Sequence, residues 1–252
     1  MRNPNELAGK VAVVTGAGGA GVGGLGVTYS RALAEAGAAV VVVDVDADGA
    51  SNVAHELRSA GFEALGVKCD VTSDSDVDAM VATALDTFGG IDILVNNAGL
   101  ARGRWSEGST LSTADWMRIF AVNTVGPVIC ARACRTALAQ SGHGVIVNQS
   151  SSGAFMEAGA YSVTKLALNG VTRILAAEFA DDGIRVNGIA PGMMSAQLPQ
   201  EQIDALLAQQ TVHRPGVADD LVGALLFLCS DQSTFVNGQT LLVDGGLVKG
   251  RI

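Results

Sequence analysis

A parallel α/β fold, with seven strands buried between helices on both faces, is what this 252-residue sequence predicts. Three observations predict it. Short β-branched runs alternate with helical periodicity from end to end, and the runs are continuously apolar, as strands covered on both faces are. The first two, KVAVVT and AAVVVVD, flank a helical segment that stops at Gly37, which makes a strand–helix–strand unit.

In order, the further strands are expected at Ala64 to Lys68, Ile91 to Val95, Gly144 to Asn148, Arg185 to Ile189 and Thr240 to Val243. Helical stretches such as Asp74 to Phe88 separate them. Two helical patterns are longer, Thr113 to Gln140 and Gly159 to Asp181, and the first would run about 42 Å at 1.5 Å per residue. Their small residues, including Ala131, Ala133, Ala137, Ala167, Gly170, Ala176 and Ala177, suit tight packing on the sheet or a helix bundle between subunits, and the length favours the bundle. No repeat, low-complexity stretch or proline-rich linker interrupts the pattern, so residues 1–252 are expected to form one domain.

Composition narrows the function. With 48% hydrophobic residues and a mean hydropathy of +0.34, the chain can bury one large core. A net charge of −9 and a pI near 4.7 disfavour nucleic acid and anionic membranes as partners. The apolar run Val11 to Val14 is too short for a signal core or a membrane span, so a cytoplasmic protein is expected. Cys69, Cys130, Cys134 and Cys229 form no C-x-x-C pair and read as small core residues. His55, His143 and His213 lack metal-ligand spacing, so no metal is expected.

Between the first strand and first helix lies TGAGGAGVGGLG, Thr15 to Gly26. Glycines at such a strand-to-helix turn let the backbone approach a pyrophosphate while the helix N-terminus attracts its charge, as in the Rossmann arrangement. Asp44 ends the second strand eighteen residues beyond Gly26, where a carboxylate accepts hydrogen bonds from the adenosine ribose. The same charge repels a 2′-phosphate, and no lysine or arginine follows within Val45 to Asn52, so NAD is expected rather than NADP. Asp46 and Asp48 read as turn aspartates.

Tyr161 and Lys165, in GAYSVTKLALNG, stand four apart on a predicted helix and share a face. A nearby ammonium favours the tyrosinate, whereas an isolated tyrosine, which titrates at about 10, is a poor base at neutral pH. The ordered set LVNNAG, FAVNTVG, IVNQSS, GAYSVTK and RVNGIAPG accompanies this pair. With those motifs, from Lys10 to the closing GQTLLVDGG, the sequence resembles the short-chain dehydrogenase/reductase family. The resemblance implies a single-domain Rossmann fold, an NAD(P)-linked interconversion of a secondary alcohol and a ketone, and often a homotetramer. By position it assigns catalysis to Asn123, Ser151, Tyr161 and Lys165. Tyr161 is the acid/base, Lys165 its charge partner and ribose contact, Ser151 the donor to the substrate oxygen, and Asn123 the residue that opens its helix for a relay water. The implied cofactor contacts are Gly16, Gly24, Leu25, Gly26, Asp44, Asp70, Val71, Asn97, Ala98, Gly99, Tyr161, Lys165, Pro191, Gly192 and Met194. Asp70 also reads as a turn residue, and Asn97 as a tie between central strands.

The chain departs from the family's pattern in three places. Four extra residues separate Gly16 from GLG, so the later glycine pair is either Gly21 with Gly23 or Gly24 with Gly26. The second pair leaves eleven residues to Gly37, the family's usual first-helix length, and is chosen; Gly18, Gly19, Gly21 and Gly23 then form an enlarged turn. The connection from Ser151 to Tyr161 is short. Ala196 stands where relatives carry a threonine that contacts the nicotinamide, and Ser195 is the substitute at hand. Trp105, Phe155, Met156, Met193 and Leu198 are the candidate pocket residues, and their apolar character points to a hydrophobic ketone or alcohol. Fold alone would also permit a non-catalytic NAD(H) sensor or scaffold, against which the intact Ser151, Tyr161 and Lys165 argue.

Overall fold

The computed structural model describes residues 6–19, 24–101, 103–157, 159–194 and 200–249. Seven strands, β1 (Val11–Thr15), β2 (Ala39–Asp44), β3 (Ala64–Lys68), β4 (Ile93–Asn96), β5 (Val145–Gln149), β6 (Arg185–Pro191) and β7 (Thr240–Val243), form one sheet in the order β3-β2-β1-β4-β5-β6-β7. Every pairing is parallel. The chain crosses from β3 over to β4 beside β1, so the order reverses between β1 and β4. In open α/β sheets the carboxyl ends of the strands at such a reversal form the ligand crevice.

Eight α-helices connect and cover the strands among the described residues: α1 (Leu25–Glu35), α2 (Ala47–Ser59), α3 (Asp74–Phe88), α4 (Thr113–Phe120), α5 (Gly126–Gln140), α6 (Gly159–Glu178), α7 (Gln200–Leu207) and α8 (Val222–Cys229). The continuous apolar runs are explained by two cores. Ala12, Val14, Val40 and Val42 face one side and pack with α1, α2 and α8. Val11, Val13, Val41 and Val43 face the other and pack with α3, α5 and α6. Alternate residues of one strand therefore feed different layers, and neither face has room for polar alternation. All four cysteines are buried thiols in these layers. Burial pushes the thiols of Cys69, Cys134 and Cys229 up to about 12, so they remain neutral.

Most expected boundaries hold within a residue or two, and two long elements are shorter than their periodicity suggests. The pattern from Thr113 to Gln140 is not one α-helix. It is α4, then a π turn at Ala121–Val125, then α5. The amide of Gly126 donates to Ala121 O, one residue further back than an α-helix allows, which opens the helix at Asn123. The α6 helix ends at Glu178, and Ala180–Asp182 tightens into a 3-10 turn closed by Gly183 with φ 70°.

The small-residue faces divide as well. Ala131, Ala137 and Ala176 are buried within the chain. Gly170 and Ala177 are exposed, beside the exposed Val163, Leu166 and Ile174 of α6. No helix of the described residues is long and apolar enough to cross a membrane.

Candidate active site

A cavity of about 690 Å³ opens over the carboxyl ends of β1, β2, β4, β5 and β6, within the size range of small-molecule and cofactor sites. Every expected cofactor residue lines it: Gly16, Gly24, Leu25, Gly26, Asp44, Asp70, Val71, Asn97, Ala98, Gly99, Tyr161, Lys165, Pro191, Gly192 and Met194. Ser151 lines it too, while Asn123 lies fully buried just behind the wall.

At the β1–α1 turn the backbone itself is the surface. Gly16 has φ +66°, and a Cβ there would lie 2.6 Å from Ala98 Cα. A Cβ on Gly26 would lie 2.4 Å from Gly16 O and 2.7 Å from Ala17 Cα. Both neighbours are main chain, so only glycine allows the first turn of α1 to sit on the end of β1. Gly24 caps α1 in a left-handed conformation at φ 64°, and α1 runs for eleven residues, from Leu25 to Glu35, two short of the expected stop at Gly37. Gly21 and Gly23 lie outside the described residues. Asn97 Nδ2 donates to Thr15 O at 2.9 Å and to Gly16 O at 2.8 Å, which ties β4 to the turn as expected.

Asp44 is held by two amides. Gly18 N donates to Oδ2 at 2.7 Å, and Asp46 N to Oδ1 at 3.0 Å. A Cβ on Gly18 would come within 2.9 Å of the Asp44 side chain. Gly18 is thus part of the Asp44 site, which corrects its assignment to the enlarged turn alone. Gly19 lines the cavity as well. Asp46 caps α2 by accepting from Asp48 N, a turn role as expected. Asp70 Oδ1 accepts from Thr72 N at 2.9 Å and Thr72 Oγ1 at 2.7 Å, so it is a turn residue that also lines the cavity.

At the other end, the first turns of α6 bring Tyr161 and Lys165 to the cavity. Lys165 is only 4% exposed. Its Nζ donates to Gln149 O at 2.7 Å and lies 5.8 Å from the Tyr161 ring centroid. Burial pushes the Lys165 ammonium down to about 8. Ser151 Oγ accepts from Gly153 N at 3.0 Å. A Cβ on Gly153 would lie 3.1 Å from Ser151 Oγ and 3.2 Å from Tyr161 Cε1, so the hydroxyl and the ring converge over that glycine.

Asn123 sits in the π turn with its side chain committed. Its Oδ1 accepts from Leu100 N at 2.7 Å, and its Nδ2 donates to Leu100 O at 2.9 Å and Thr164 Oγ1 at 3.1 Å. It clamps the β4–α4 connection to α6. Behind it, Asn96 Nδ2 donates to Asn148 Oδ1, and Asn148 Nδ2 to Thr172 Oγ1, both at 2.9 Å. These amides lock β4, β5 and α6 at fixed spacing.

Of the expected pocket residues, Met156 and Met193 line the cavity. Trp105 does not: it packs with Ile119 and Ala160 in a satellite cluster, under Arg104, whose guanidinium lies 4.5 Å from its ring centroid. Phe155, half-buried, is not in the lining either. Leu198, Ser195 and Ala196 lie outside the described residues. The lining residues without forewarning include Ser106, Arg118, Gln149 and Leu247. Gln149 left a trace in the sequence, a second amide after Asn148 at the end of an apolar run, whereas Leu247 follows the closing glycines and left none.

The residues present fit a dinucleotide. The cradle that a Cβ at Gly16 or Gly26 would fill, the helix N-terminus at Gly24, the fixed carboxylate of Asp44 and the buried ammonium of Lys165 suit a pyrophosphate flanked by two ribosides. Among the described residues no group of His, Cys, Asp and Glu could hold a metal ion.

Comparison with known proteins places nearly the whole chain. The family model described as "Enoyl-(Acyl carrier protein) reductase" matches residues 18–248. A cis-4-hydroxycyclohexanecarboxylate dehydrogenase of Sinomonas cyclohexanicum is 40% identical over 79% of this chain and 82% of its own. The 2,5-dichloro-2,5-cyclohexadiene-1,4-diol dehydrogenase LinX of Sphingobium indicum is 36% identical over 96% of this chain and 97% of its own. A crystal structure from Sinorhizobium meliloti 1021, assigned by its description to the short-chain alcohol dehydrogenases, superposes with a TM-score of 0.88 at 34% identity, covering 96% of this chain and 97% of that one. With the family model matched over nearly its whole length and the seven-stranded order reproduced, the chain belongs to the short-chain dehydrogenase/reductase family of oxidoreductases, which work with a nicotinamide dinucleotide.

Proposed function

We propose that this protein interconverts a secondary alcohol and a ketone on an apolar, ring-bearing substrate, with NAD as the cofactor. The convergence of Tyr161, Lys165 and Ser151 at one end of a cavity whose other end is fixed by Asp44 carries the reading. A bound nicotinamide supplies the hydride acceptor or donor. Everything else is the work of the side chains. Tyr161 Oη gives a proton to the carbonyl oxygen in reduction and takes one from the hydroxyl in oxidation. Ser151 Oγ, which accepts from Gly153, turns its own O–H to the same oxygen and stabilises the charge developing there. Lys165 reaches the nicotinamide ribose and favours the anionic Oη. Asn123 keeps the helix open behind Lys165 for a relay water. Asp44 would hold the adenosine ribose hydroxyls, and Asp70 and Val71 would hold the adenine.

Burial brings the Lys165 ammonium to about 8, so below about that pH it is charged and stabilises an anionic Oη. For alcohol oxidation kcat/KM should rise with pH through an apparent pKa clearly below the ordinary tyrosine value of about 10. A limb at 10 or above would sink the pairing.

Met156, Met193, Leu100 and Leu247 give the substrate end an apolar lining, and two of the relatives act on six-membered ring alcohols by their names. The exposed Val163, Leu166 and Ile174 of α6 support a homotetramer, and the acidic chain a cytoplasmic setting. The test follows NADH absorbance with a panel of cyclic alcohols and ketones. Turnover with cyclohexanols is expected; tight NADH binding with silence across the panel would identify a cofactor sensor instead.

A further inference from the structure

Gln149 breaks the character of its strand. Along β5, Val145 and Val147 belong to the apolar layer under α1 and α8, and Gln149 continues the same alternation at 6% exposure. A buried amide must find partners or destabilise the fold. It finds one 120 residues away: Tyr29 Oη, on the fully buried face of α1, donates to Gln149 Oε1 at 2.6 Å. Gln149 Nε2 donates to Ser150 O at 3.2 Å. Burial holds the Tyr29 phenol well above its ordinary value, so it stays a donor at every working pH and fixes which way the amide points. The main-chain carbonyl of the same glutamine accepts Lys165 Nζ at 2.7 Å. One residue thus joins the helix that opens at the glycine turn to the buried lysine.

We propose that Tyr29 and Gln149 act as a positioning strut that holds the end of β5, so that the Gln149 carbonyl keeps the Lys165 ammonium in register with Tyr161 and with the nucleotide end of α1. The proposal rests on the acid–base reading of Tyr161 and Lys165. Tyr29 acts through another residue and touches no reacting atom. Around Nζ the titratable neighbour is Tyr161, while Gln149, Asn123 and Gly99 carry no charge. Loosening the carbonyl removes an acceptor from an ammonium in a low-dielectric site, which favours the neutral amine.

The test compares wild type, Tyr29→Phe and the apolar pair Tyr29→Phe/Gln149→Met. Lys165 is one of four lysines, with Lys10, Lys68 and Lys249, so its Nζ titration can be followed by NMR in cofactor-free, lysine-labelled protein. Tyr29→Phe is expected to move that midpoint down by about half a pH unit. It should also lower kcat about tenfold as the ammonium leaves its register with Tyr161, while the orphaned Gln149 acceptor lowers the melting temperature. Replacing both polar partners should return the melting temperature towards wild type, because no polar atom is then orphaned, while the lysine midpoint and kcat stay altered. If Tyr29→Phe does not fold, the double variant carries both readouts. A wild-type lysine midpoint and kcat in Tyr29→Phe, or recovery of every readout in the double variant, would overturn the strut and leave an ordinary packing contact. Absence of nicotinamide-linked turnover in wild type would instead overturn the functional reading, and the lysine titration would still decide the strut.

Discussion

The two ends of the cavity are built from different material. At the nucleotide end the surface is main chain: Gly16, Gly18 and Gly26 matter because nothing larger fits, and Asp44 is steered by two backbone amides. At the catalytic end the surface is side chain, with Tyr161, Lys165 and Ser151 projecting from α6 and the end of β5 and held by buried amides behind them. The first end recognises a shape shared by every dinucleotide, so it tolerates no added atom. On the proposed function the second performs the chemistry, so it should fail when one oxygen is removed while its fold survives.

The sharpest way to break this contrast is Tyr161→Phe. It removes a single oxygen and little volume from a half-buried side chain. Positioned acid–base catalysis contributes about 10²–10⁴-fold, so kcat should fall by at least that order with NADH affinity and melting temperature near wild type. Turnover close to wild type in the folded variant would remove Tyr161 from the mechanism.

Gly26→Ala is the counterpart at the nucleotide end. Its Cβ would sit 2.4 Å from one main-chain oxygen and 2.7 Å from a main-chain carbon, and neither can swing away. Overpacking of this kind costs about 1–3 kcal/mol, or roughly 2–12 °C in melting temperature for a chain of this size. NAD affinity should fall tenfold or more, while kcat at saturating cofactor stays within a few-fold of wild type. A variant that binds NAD normally would show that α1 does not approach the pyrophosphate through this turn.

Asp44 tests the one place where the nucleotide end depends on a side chain. Asp44→Ala removes an acceptor worth about 1.5–3 kcal/mol to a charged hydrogen bond, so NAD affinity should drop about 10- to 100-fold and NADP use should change less. Asp44→Arg should turn the preference towards NADP, since the guanidinium attracts the 2′-phosphate that the carboxylate repels. A wild-type protein that already prefers NADP would refute the assignment.

What the sequence made legible follows the same division. Strand order along the chain, the glycine turn, Asp44 and the Tyr161–Lys165 spacing are local patterns, and local periodicity reports them directly. The choice of Gly24 and Gly26 rested on helix length, and the structure begins α1 at Leu25, directly after Gly24. Contacts between distant segments were not reachable. Gly18 belongs to Asp44 only once β1 and β2 lie side by side, and Tyr29 meets Gln149 only after α1 covers β5. The opening at Asn123 was implied by the resemblance but not by periodicity, because one extra residue in a helical turn leaves the apolar period of the flanking helices nearly unchanged. Trp105 was misplaced because an aromatic in a loop reads alike whether it faces a ligand or its own small core.

The smallest expected effect asks whether the apolar part of the catalytic end orients the substrate or only surrounds it. Leu247, 8% exposed, comes from the segment after β7 and lines the cavity together with Met193 and Met194. Its turn is held by Asp244, whose carboxylate accepts from Gly246 N at 2.9 Å and Val248 N at 2.8 Å, so truncating the side chain leaves the backbone in place. Leu247→Ala removes apolar contact that a ring would make equally in its ground state and its transition state. Such uniform binding raises KM and leaves kcat alone, by about 10-fold for a contact of 1–3 kcal/mol. Steady-state kinetics on a cyclohexanol and on a short acyclic alcohol separate the outcomes: KM should rise for the ring substrate and change little for the short one. A fall in kcat at unchanged KM would mean that Leu247 sets the angle of the reacting carbon to Tyr161, and the division between an enclosing wall and a reacting set would then have to be redrawn to include the C-terminal turn.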